Sequence, residues 1–142
     1  MSRSGYGDDC DEGSLGLYRG AVQRAIDGKR GQAMLRDLLV ALDAMPVKAL
    51  AVESLVTAEG EFCTLGVLGH ARGLMMPPVD PEDFDNEAVA RLFGVAPSLI
   101  REIVYENDEG DLFCIGVGPA QRWERMRGWV AAQLTAPAGV TL

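Results

Sequence analysis

Glu106, Asp108, Glu109 and Asp111 crowd into one short stretch, and paired carboxylates are the commonest means of general acid–base work. That work needs two acids in different environments at a fixed spacing. A continuous run in a loop offers neither, so these acids read as a solvated helix end. The surrounding "NDEGD" also lacks the ordered oxygen ligands and closing Glu of a calcium loop. His70 is the single histidine, and Cys10, Cys63 and Cys114 are the three cysteines. A Cys–His nucleophile pair needs a third orienting group, and a zinc site would need one His with scattered Cys. "GVLGHARG" carries glycines at 66, 69 and 73 but fits neither GxGxxG nor GxxxxGK, so the glycines read as close packing. No catalytic, cofactor or metal residue is assigned, and the chain reads as a non-enzyme.

Binding is the remaining class. "EAVARLFGVAPSLIREIVYEN" (87–107) has the residue types of two short helices, 86–93 and 97–108, in a helix-turn-helix. Val89, Phe93, Ile100 and Ile103 would face inward, and Ala90 is small where the second helix approaches. Gly94 tolerates the positive φ of the turn, and Pro97 can open a helix. As a DNA reader the second helix would offer Ser98, Arg101, Glu102, Tyr105 and Glu106 outward. Major-groove readers use Arg, Lys, Asn or Gln among flanking cations. Here one arginine stands among carboxylates, so the shape fits better than the chemistry does.

The charge layout sharpens that point. Net charge is −8, which opposes general nucleic-acid binding. Thirteen of the 21 acids lie in three windows free of Lys and Arg. These are Asp8, Asp9, Asp11 and Glu12; then Asp80, Glu82, Asp83, Asp85 and Glu87; then Glu106, Asp108, Glu109 and Asp111. The rest of the chain is mildly basic, including "DGKRG" (27–31) with Arg19 and Arg24 nearby. That loop reads as a solvated turn with some capacity for an anion.

The elements that would carry these residues are mostly helical. Residues 1–14 read as a flexible acidic N-terminal segment, 15–136 as one mostly helical domain, and 137–142 as a frayed tail. Leu15, Tyr18, Val22, Ala25 and Ile26 form one stripe. Met34, Leu35, Leu38, Leu39, Leu42 and Met45 form a stronger one that Pro46 ends. Apolar residues about "TAEGE" predict a small β-hairpin turning at Gly60. A helix from about Gly66 to Met75 follows, with a longer strand as the alternative, then a loop over "MMPPVDPEDFD". "EGDLFCIG" (109–116) echoes "EGEFCTLG" (59–66), as a strand beside that hairpin would. Trp123, Met126, Val130 and Leu134 line a last helix opened by Pro119. Of Trp123 and Trp129, one should anchor the core and the other stand exposed as a contact residue. The fold class is mainly α, with five or six helices and a small β-hairpin. Apolar runs are too short to span a membrane and no apolar signal region stands at the N-terminus, so a cytoplasmic setting is expected.

"RSGYGDDCD", "LYRGAVQRAIDGKRGQAMLRDLLVALDAMP", "REIVYENDE" and "QRWERMRGWVAAQL" resemble, in order, a family of small uncharacterised proteins encoded by bacteriophages and prophages. The resemblance implies a phage or prophage origin in a bacterial host cell and carries no mechanism or site residues. It favours an accessory protein that binds a host or phage protein through an acidic surface, such as an anti-CRISPR-like inhibitor of host defence or of another host process. The partner-binding residues would be Asp80, Glu82, Asp83, Asp85, Glu87, Glu106, Asp108, Glu109 and Asp111. The alternative is a dimeric helix-turn-helix regulator using Ser98, Arg101 and Tyr105. The third is a self-associating assembly accessory.

Overall fold

The computed structural model describes residues 12–52, 55–57, 61–74, 85–109 and 118–135, with 12–17 and 109 as backbone alone. Among them are six helices: α1 (Glu12–Asp27), α2 (Lys29–Asp43), α3 (Thr64–Ala71), α4 (Asn86–Phe93), α5 (Pro97–Glu109) and α6 (Pro119–Gln133). The expected mainly helical architecture holds. α2 packs on α3 and α6, while α5 packs on α1, α3, α4 and α6.

The described side chains of each stripe anticipated by three- and four-residue spacing are buried or half-buried against the core. Met34, Leu35, Leu38 and Leu42 of α2 meet Leu65 and Leu68 of α3 and Met126 and Val130 of α6 in one core, which Leu99, Ile100 and Ile103 of α5 complete. Tight approaches are made at two glycines. A Cβ on Gly31 would lie 1.9 Å from the carbonyl oxygen of Ala25, and one on Gly66 would lie 1.8 Å from that of Leu55. Close packing therefore explains Gly66, whereas Gly73 has open space and a φ of 72° just after α3.

The helix ends are satisfied across the chain. Gln32, buried in α2, donates through Nε2 to the carbonyls of Ile26 (2.8 Å) and Gln133 (3.0 Å), ending α1 and α6 together. Its Oε1 accepts from the Thr135 amide at 2.9 Å. Lys48 Nζ donates to the Asp43 and Met45 carbonyls, both at 2.7 Å, and Trp123 Nε1 donates to the Leu42 carbonyl at 3.1 Å. These groups close α2 before Pro46, whose ring disfavours helical backbone at Met45. Asn107 serves the start of α3, where its Oδ1 accepts from the Thr64 amide (3.0 Å) and hydroxyl (2.7 Å). The bonds to the Ile26, Gln133 and Asp43 carbonyls and from the Thr64 amide meet terminal groups that the helices themselves leave unpaired.

The expected β-hairpin does not form among the described residues. Val56 and Phe62 make one isolated antiparallel bridge, and no strand extends from it. The cause lies at Phe62 and Cys63. The Phe62 carbonyl accepts from the Ala51 amide, and the chain turns helical at Thr64 under the Asn107 cap. That helix takes the residues a second strand would need. α3 ends at Ala71, short of the expected Met75. The proposed strand over 109–116 and the terminal segments 1–11 and 136–142 lie outside the described residues, apart from Glu109, which ends α5.

Candidate protein-binding surface

The helix-turn-helix segment folds as its residue types dictate. Asp85 caps α4, its Oδ1 accepting from the amides of Glu87 (3.0 Å) and Ala88 (3.2 Å). Gly94 takes a left-handed φ of 72° in the turn, and Pro97 opens α5. Phe93, Val95, Ile100 and Ile103 are buried.

The surroundings of α5 differ from those of a groove-reading helix. Tyr18 lies under the Arg101 guanidinium at 5.2 Å, Arg19 Nη1 donates to Glu102 at 2.6 Å, and Ala96 borders a hollow with Ala25 and Gly28. α1 thus runs antiparallel along α5 and covers it. Of the side chains described from Pro97 to Asp108, only Pro97 is exposed. Ser98, Arg101 and Tyr105 are half-buried. Glu102, expected to point outward, is buried against Arg19. A helix in a major groove must present base-reading side chains beyond its neighbours; here Arg101 is drawn over Tyr18 of α1, and Ser98 and Tyr105 stand half-buried.

The acids divide between the two ends of α5. Asp85 and Glu87 are exposed at the start of α4, around a shallow hollow shared with Arg101. Asp108 stands seven residues further along α5, about 10 Å away by helical rise, and its Oδ1 accepts from Asn107 Nδ2 at 2.8 Å. Glu106 is half-buried, and Glu109 is the last residue of α5. Asp80, Glu82, Asp83 and Asp111 lie outside the described residues.

Cys63 and His70 do not meet as a pair. Cys63 is buried at the N-cap of α3, and His70 is exposed in its last turn, roughly 10 Å along the axis. The His70 ring instead stands 4.9 Å from that of Phe62. Among the described residues no three His, Cys, Asp or Glu side chains converge as metal ligands would. Neither tryptophan is exposed: Trp123 and Trp129 are both half-buried against the core, because Trp123 is held by the Leu42 carbonyl and by Lys48 over its ring at 5.2 Å.

A feature that the sequence did not announce lies beside the end of α2. An open groove of about 620 Å³ runs between the end of α2, the connection to Ala49, and α3. Ala44, Met45, Val47, Phe62 and Val67 form its walls, and Glu61 and His70 are its polar groups. Val47 is 70% exposed, and Val40, one turn before Ala44, is 69% exposed. Val40 falls off the core stripe of α2 and Val47 stands exposed in the connection after it, and those were the available signals. An apolar residue at an outward position has no partner within its own helix. No family model, curated protein or solved structure matches the chain. Among the described residues no helix is long and apolar enough to cross a membrane.

Proposed function

We propose that this chain is a phage or prophage accessory protein that acts by binding a partner protein, as an inhibitor of host defence or of another host process. The observation that carries this reading is the open apolar groove beside α2, with the largely exposed Val47 in its wall. Contiguous exposed apolar surface of this kind marks interaction sites in soluble proteins. The exposed Asp85 and Glu87 add a negative approach surface suited to steering a basic partner.

The test is co-purification from lysate of a host bacterium, with nuclease, comparing the native chain with two variants. One carries Val47→Asn. The other carries Asp80→Asn, Glu82→Gln, Asp83→Asn and Asp85→Asn, where Asn keeps the cap of α4. A stoichiometric protein lost with either variant supports the reading; one retained by both at all salt concentrations ends it. The DNA-binding alternative is favoured by the helix-turn-helix shape and opposed by the helix over α5. It requires duplex DNA to be retained at low salt through Arg101, and recovery of such a fragment would replace the protein-binding reading.

A further inference from the structure

We propose that the α2–α3 groove takes a partner segment in which an apolar side chain stands next to a Lys or Arg. This deepens the protein-binding reading and rests on it. The groove walls are aliphatic apart from Phe62, so the buried portion of the occupant is apolar. Its charge preference is set at one rim. The Glu61 side chain lines the groove and pairs with no cation among the described residues.

The two cations next in sequence to lining residues are engaged elsewhere. Lys48 donates to the Asp43 and Met45 carbonyls and lies over Trp123. Arg72 pairs with Asp37 at 2.9 Å and lies 6.0 Å over the Phe93 ring. Glu61 therefore stands exposed at the rim with neither of these cations beside it. The adjoining half-buried Phe62 presents a ring whose face also favours a cation. A Lys or Arg can lay its alkyl stem along Met45 and Val47 and bring its charge to Glu61, as long basic side chains do on apolar surfaces.

His70 is the chain's single histidine and lines this groove, so its ring resonances report on occupancy without labelling ambiguity. Two capped peptides, Gly-Leu-Lys-Leu-Gly and Gly-Leu-Glu-Leu-Gly, are titrated into the full chain while those resonances are followed. The Lys peptide should move His70 saturably and bind about fivefold more tightly than the Glu peptide, the scale of one exposed charge pair. Glu61→Gln should remove that preference while leaving weak binding of both. Val47→Asn, a neutral polar change at an exposed position, should weaken both peptides without unfolding the chain. An unmoved His70 ring overturns the groove assignment, and equal binding of the two peptides overturns the charge assignment. If the peptides fail while a host protein is still lost on neutralising the acids, the protein-binding reading stands and the groove proposal falls.

Discussion

Asn107 holds more of the structure together than its place near the end of α5 suggests. Its side chain accepts from Thr64 twice and donates to the Ala51 carbonyl at 3.0 Å, while its own carbonyl accepts from Arg125 at 3.1 Å. It is buried. Asn107→Ala leaves the Thr64 amide and the Ala51 carbonyl without that partner, and should cost about 3 kcal/mol in chemical denaturation. Asn107→Asp should cost more, because a carboxylate cannot donate to Ala51 and would face Asp108. An exposed pair gives the opposite case. Arg127 Nε donates to Asp43 at 2.7 Å, and this bond holds the Asp43 carboxyl below its ordinary 3.8. A depressed acid contributes above its unfolded pKa and loses that contribution as pH falls through the folded one. The native chain should therefore melt slightly above Asp43→Asn at neutral pH, and the two should converge as pH falls through the depressed folded pKa of Asp43. A wide gap at neutral pH would contradict the pair's exposure.

At the scale of elements, glycine separates contact from habit. Gly31→Ala and Gly66→Ala force a carbon onto backbone oxygens at 1.9 and 1.8 Å, and each should cost about 3 kcal/mol. Gly128, in mid-α6, meets nothing within 4 Å, so Gly128→Ala should stabilise by about 1 kcal/mol. Thermal melts of the three variants test both statements. The helices themselves were legible because their signals are local. The bounds of α4 match the expectation, since Asp85, Gly94 and Pro97 each act within a turn of their own position. The failed hairpin shows where such legibility stops. "TAEGE" between apolar residues is a sound local strand signal, but the α3 start that displaced it depends on Asn107, 43 residues away from Thr64. Gly28, Cys63 and Gly118 begin helices without any capping bond from their own side chains. Of these three starts, the sequence marked the last, through Pro119 in the first turn of α6.

For the whole molecule, charge was legible as a total and illegible as a surface. Whether the acid windows share a face was not readable from the sequence; the described acids of the second and third windows stand at the two ends of α5, and Glu102 pairs inward with Arg19. The groove was harder still to see. It is made by residues 41–49 and 61–71 brought side by side, and only the outward Val40 and Val47 hinted at it. The same long reach has a consequence for manufacture in the cell. Arg19 bonds Glu102 across 83 positions, and Gln32 bonds Gln133 and Thr135 across 101 and 103. The ribosome releases α1 and α2 long before α5 and α6 exist. Leu35, Leu38 and Leu42 must then wait in water, as clients for chaperones, until translation of the last helix supplies their cover. A transcript truncated before α6 would yield an aggregating product, not a smaller working domain.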